Sequence, residues 1–159
     1  RQGVEAADSG DLTRSPETYV GYARAQGFAG RIAHDDAWTY RAPSALASGQ
    51  WTLDGRWTVH EESARLQRAG GRIIYRFRGR DLHLVLGPGA DAKPVHFRVT
   101  LDGHAPGADH GVDTDADGNG TVSTQRLYQL VRQANGSGER LFEITFLDPG
   151  VQAYAFTFG

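Results

Sequence analysis

The chain has 159 residues, 39% hydrophobic and 10% aromatic, which suffices for one well-buried core and does not demand two domains. A formal net charge of −2 excludes the basic field that recruits nucleic acid or anionic lipid. Cysteine is absent, which excludes disulfides, thiolate catalysis and thiolate metal ligation within these residues.

Methionine is absent too, and the expectation is a processed chain or a piece of a longer one. No apolar run approaches the roughly 20 residues that span a bilayer, and the N-terminus lacks the apolar stretch of a signal peptide. The segment is therefore not expected to insert in a membrane itself, and any export or anchoring is expected to be encoded elsewhere. The 21 glycines and many Asp/Gly pairs point to frequent turns and favour an all-β chain.

Residues 1–48 carry scattered aromatics without sustained alternation and read as a linker or strap. Ser15-Pro16-Glu17 has the form of an N-cap with proline at the first helical position, which predicts a short helix over Glu17–Ala25. Trp38 follows in Asp35-Asp36-Ala37-Trp38-Thr39-Tyr40, outside any alternating run. It is either an exposed ring or an anchor that pins the strap.

From Gln50 onward the period changes to two, so residues 49–159 form the expected folded domain. Trp51, Leu53, Trp57 and Val59 share one parity, then Ile73, Tyr75 and Phe77, then Leu82, Leu84 and Leu86. Val95, Phe97, Val99 and Leu101 follow, with His96 and Arg98 on the other face because strand side chains alternate. Further runs are Leu127–Val131, Phe142/Ile144/Phe146 and Tyr154/Phe156/Phe158. Turn signals such as Gly70-Gly71, Asp102-Gly103 and Asn135-Gly136 separate them. The pattern predicts a two-sheet antiparallel β-sandwich of jelly-roll type, with Trp51 and Trp57 in its core.

The loop from Asp113 to Gly120 sets Asp113, Asp115, Asp117 and Asn119 at alternating positions, as the first half of a calcium loop does. Thr124 stands where the twelfth-position glutamate is required, so a bound Ca²⁺ would have to borrow oxygens from elsewhere. The same spacing serves an Asx-turn and hairpin equally well. His104, Asp109 and His110 follow no recognised zinc pattern. Neither a nucleophile-base set nor a facing carboxylate pair is evident, and the expectation is a non-catalytic chain.

Flat rings beside hydrogen-bonding groups are what sugar recognition needs. Trp38, Tyr40 and Tyr128, with Arg76 and Arg98 on outward strand faces, are the candidate carbohydrate contacts. The alternative is a solvated face whose long stems cover apolar edges.

Three groups of residues carry a resemblance: Ser15–Tyr22, then Trp51–Val59, then Arg80–Pro88, with His110–Gly120, Arg126–Leu130 and Tyr154–Gly159 continuing it. They resemble the C-terminal part of DipZ-type thiol-disulfide proteins from about residue 13 to the end. The resemblance implies a larger parent linked to cytochrome c biogenesis: a membrane-embedded CcdA-like electron carrier, an extracytoplasmic thioredoxin-like domain bearing a cysteine pair, and this carbohydrate-binding-module-like sandwich behind it. It implies an extracytoplasmic location on the periplasmic or cell-envelope side, tethered through the parent's membrane domain. Two roles follow as expectations. One is a non-catalytic module that binds cell-envelope glycan, which predicts an exposed aromatic beside polar groups. The other is a docking module packed on the parent's thioredoxin-like domain, which predicts a flat patch without a sugar-sized groove.

Overall fold

The computed structural model describes residues 14–89 and 91–159. The part of the expected strap before residue 14 lies outside the described residues. Eleven strands follow in chain order: β1 Thr18–Tyr19, β2 Ala37–Tyr40, β3 Trp51–Val59, β4 Ala64–Leu66, β5 Arg72–Arg78, β6 Asp81–Gly87, β7 Val95–Leu101, β8 Asn119–Val122, β9 Arg126–Arg132, β10 Glu139–Phe146 and β11 Gln152–Phe158. A single 3₁₀ turn at Gly107–Asp109 is the helical element among the described residues.

The strands run β8-β7-β10-β5-β3-β4-β11-β6-β9, with β1 beside β11 and β2 beside β3. This curled path becomes two layers because β3 serves both. Trp51–Asp54 pair with β5, whereas Trp57–Val59 pair with β4. Gly55 makes the bend between these halves at φ +97°, and a Cβ there would stand 2.9 Å from the Cα of Gly71. Only glycine tolerates both that backbone and that approach.

Alternation then fills the space between the layers. Ile73, Tyr75, Phe77, Val95, Phe97, Val99, Phe142 and Ile144 face Trp57, Leu82, Leu84, Leu86 and Phe156, and all are buried. Their rings meet mostly edge to face, as with Tyr75 and Phe156 at 5.1 Å and Trp57 and Phe146 at 6.0 Å. Burying each such side chain contributes about 1.5–3 kcal/mol. The expected all-β antiparallel sandwich is what forms.

The helix expected over Glu17–Ala25 does not form. Ser15 caps no helix: its Oγ accepts from Arg78 N at 2.8 Å, and its own N–H donates to Arg78 O at 2.8 Å. Thr18 and Tyr19 pair with Phe156 and Ala155, and Val20 N–H continues to Tyr154 O. A β-branched and aromatic run beside an unfilled strand edge outweighs the local helix signal. Gly21 seals the choice, since any Cβ there would lie 2.3 Å from the carbonyl oxygen of Glu61.

Within the expected strap, β2 pairs with β3, and Leu46 is buried with its carbonyl accepting from Arg76 Nε at 2.8 Å. Two bulges shift the expected parity elsewhere. The register of β11 against β6 slips between Ala153 and Ala155, so Ala153 and Phe156 face the core while Tyr154 turns outward to Gln125. The slip between Leu82 and His83 against β9 likewise buries both Leu130 and Val131. An extra residue in one strand does this by setting two residues against one.

Candidate functional site

Trp38 lies opposite Trp57 in the β2–β3 register, hence on the same face of the sheet. Trp57 is sealed in the core, yet Trp38 remains 57% exposed. At the outer strand it helps line a groove of about 330 Å³ with Phe28, Arg31, Thr39, Tyr40 and Arg41. Tyr40 forms the inner wall: it is buried, its ring meets Phe28 edge to face, and its hydroxyl accepts from Ala33 N. Arg56 donates to Thr39 Oγ1 at 3.0 Å and steadies the groove's rim. The groove therefore joins a flat exposed ring to exposed guanidinium groups.

The approach to β2 is fixed by a polar knot. Asp35, at φ +63°, accepts from the Tyr22 hydroxyl at 2.6 Å and contacts His60 Nδ1 at 2.9 Å, while its own N–H donates to Val59 O. The Tyr22 bond first, then the His60 contact, holds the Asp35 carboxyl below the ordinary carboxylate range. The same bond pushes the Tyr22 hydroxyl up to about 12. His34 stacks on the Tyr22 ring at 3.8 Å. The knot positions Trp38 three residues further along.

Of the five candidate contacts, Trp38 and Tyr40 share this groove and the other three do not join it. Arg76 reaches Leu46 O and Glu139 on the strap side of β5. Arg98 is exposed on β7 and donates to Asn119 Oδ1 at 3.1 Å. Tyr128 is 1% exposed, so its ring offers no face to a ligand in solution. Its hydroxyl donates to Thr124 O at 2.7 Å and accepts from Ser123 N, closing the turn before β9, with Arg126 stacked 3.8 Å over the ring. Parity hides this, because a tyrosine whose hydroxyl finds a partner is buried as readily as phenylalanine.

The Asp-rich loop has the Asx-turn geometry. Asp115 Oδ1 accepts the N–H groups of Asp117 and Asn119, and both oxygens of Asp113 are engaged by Arg126 and by Gln129 N–H. Asp117 is exposed, and Asn119 Oδ1 is taken by Arg98. Among the described residues no three His, Asp or Glu side chains gather as metal ligands would.

A second recess was not legible in the sequence. A cleft of about 660 Å³ opens between the ends of β5 and β9, lined by Arg14, Arg78, Arg80, His110 and Arg132. The arginines come from separate segments, and the one local signal is that Arg78 and Arg80 flank Gly79.

No curated protein matches the chain. A solved structure of a family GH115 4-O-methyl-α-glucuronidase, described as specific for decorated arabinogalactans, is 14% identical at a TM-score of 0.40. That match covers 62% of this chain and 14% of the enzyme, so the chain spans a small part of that protein's length. The model of the thioredoxin like C-terminal domain family matches residues 15–159, and this chain belongs to that family.

Proposed function

We propose that this chain is a non-catalytic carbohydrate-binding module of an extracytoplasmic, DipZ-like thiol-disulfide protein. In this reading the groove under Trp38 is its sugar site. The observation that carries it is the exposed Trp38 lining a groove together with Arg31, Arg41 and Thr39. A sugar's C–H face stacks on such a ring while its hydroxyls pair with the polar rim, and a preformed groove of a few hundred Å³ suits one or two residues of a glycan. Family membership supports association with a thioredoxin-like domain, and the absence of cysteine supports placing any redox chemistry outside these residues. Holding that domain near glycan-rich surfaces raises its effective concentration there. The docking alternative requires a flat patch, and the groove beside Trp38 favours sugar over it.

The test is a panel of cell-envelope glycans against the wild type and the Trp38→Ala and Tyr128→Ala variants. Trp38→Ala should weaken binding at least about tenfold, the loss of one stacked ring, with an unchanged melting temperature. Tyr128→Ala should instead lower the melting temperature. Failure of the wild type to bind any glycan, together with chemical-shift changes on adding a thioredoxin-like domain, would replace this reading by docking.

A further inference from the structure

The cleft between β5 and β9 brings arginines together, with Gly159 beside them in its lining. Arg78, Arg80 and Arg132 have side chains 40%, 52% and 51% exposed, and no Asp or Glu is among the described lining residues. A guanidinium carries five N–H donors, and here most are unspent. Arg78 gives one long bond to Glu139 at 3.4 Å and Arg80 one to Asp81 at 3.3 Å. Arg132 makes no side-chain hydrogen bond among the described residues and stands 3.8 Å from Asp81. Asp81 pairs with Arg80 and Arg132, and Glu139 with Arg78, which offsets the arginines' mutual repulsion.

The walls are built rather than incidental. Gln133 is 7% exposed, and its Nε2 donates to Gly79 O and Gly138 O, both at 2.9 Å, while its own N–H donates to Arg80 O. Those bonds tie the turn carrying Arg80 to the loop carrying Gly136 and Ser137. Gly136 and Ser137 line the cleft, and among the described residues no backbone carbonyl accepts their N–H groups. Nδ1 of His110 donates to Gly111 O at 2.7 Å and fixes that ring at the cleft wall. The Ser15–Arg78 backbone pair sets Arg14 beside Arg78.

We infer that this cleft is a binding site for a compact, multiply charged oxyanion, carrying carboxylate or phosphate groups. Planar guanidinium forks match both groups bidentately. The volume is that of a small-molecule pocket. The inference is independent of the Trp38 groove, which lies across from Trp57 in the other half of β3.

The test is titration of the chain with pyrophosphate and, separately, citrate at constant ionic strength, followed by amide and arginine Nε–H chemical shifts. Saturable shifts should centre on Arg78, Arg80, Arg132, Gly136 and Ser137. Arg80→Lys/Arg132→Lys keeps the charge that balances Asp81 but removes both forks, and should weaken binding at least about tenfold. Arg14→Glu should weaken it without touching Asp81, and Trp38→Ala should leave it unchanged. Preference for pyrophosphate or for citrate names the group recognised, and either supports the site. Absence of saturation with both anions, shifts spread evenly over surface arginines, or equal affinity in the fork-less variant would overturn it.

Discussion

One glutamine separates two kinds of arginine. On one side of Gln133, Arg140 is 25% exposed and donates to Asp102, Asp109 and Gln133 Oε1. On the other side, Arg132 is 51% exposed and makes no side-chain hydrogen bond among the described residues. Arg72 and Arg126 belong with Arg140, since Arg72 is held by Asp54 and Glu143 and Arg126 by both oxygens of Asp113. Arg78 and Arg80 belong with Arg132. Residue type is the same throughout, so charge alone says little. Whether the donors are consumed inside the fold decides whether an arginine is a brace or a binding group.

The largest effect that checks this contrast is Arg140→Ala, which leaves three acceptors unpartnered around the 3₁₀ turn. It should cost about 2–3 kcal/mol, read as a lower urea midpoint with unchanged slope. A loss below about 0.5 kcal/mol, the range of ordinary surface changes, would erase the distinction. Asp113→Ala comes next. It removes the acceptor for both Arg126 amino groups and for Gln129 N–H, and should cost about 1–2 kcal/mol by the same measurement.

Acid is a milder probe of the closed side. Burial works to raise Asp102, but the Leu141 N–H and the Arg140 guanidinium outweigh it and hold its carboxyl low. Asp109 is held low first by Ala134 N–H and, against burial, also by Arg140. A carboxyl whose folded pKa lies below its unfolded value adds stability that is fully present above about pH 4. That stability is lost as pH falls through the lowered folded values. Urea midpoints should therefore fall as pH drops below about 4, and Arg140→Ala should flatten that fall. An identical slope in both proteins would detach these carboxylates from Arg140.

Much of the sandwich was written in alternation. Val95–Leu101 and Leu82–Leu86 bury the parity their sequences announce, and Ile73–Phe77 does so with Ile74 buried on the other face as well. β1 and β2 escaped notice for a physical reason: two and four residues cannot display a period, and their pairing is decided by strands more than a hundred and about fifteen residues away respectively. The helix signal at Ser15 was real locally and lost to that long-range edge. Trp38 was singled out because it lay outside any alternating run, and it is exposed. Tyr128 is buried, and nothing in Leu127–Val131 reveals that its hydroxyl finds Thr124. The arginine cleft was hidden most completely, since residues 14, 78, 80, 110 and 132 meet only once the hairpin ends converge.

The smallest expected effect is the most discriminating, because it compares one chemical change at two places. Lysine keeps the positive charge but replaces a planar fork by a point donor. At Arg140 that fork reaches two carboxylates and an amide from one guanidinium, and a single ammonium cannot span them, so Arg140→Lys should still cost about 1–2 kcal/mol. Among the described residues the Arg132 fork reaches no hydrogen-bond acceptor, and what the fold uses there is its charge beside Asp81. Arg132→Lys should therefore change stability by less than about 0.5 kcal/mol. Paired urea titrations of the two variants decide the matter. Equal losses would mean that Arg132 is a brace like Arg140, with its fork committed to the fold and not open to a ligand.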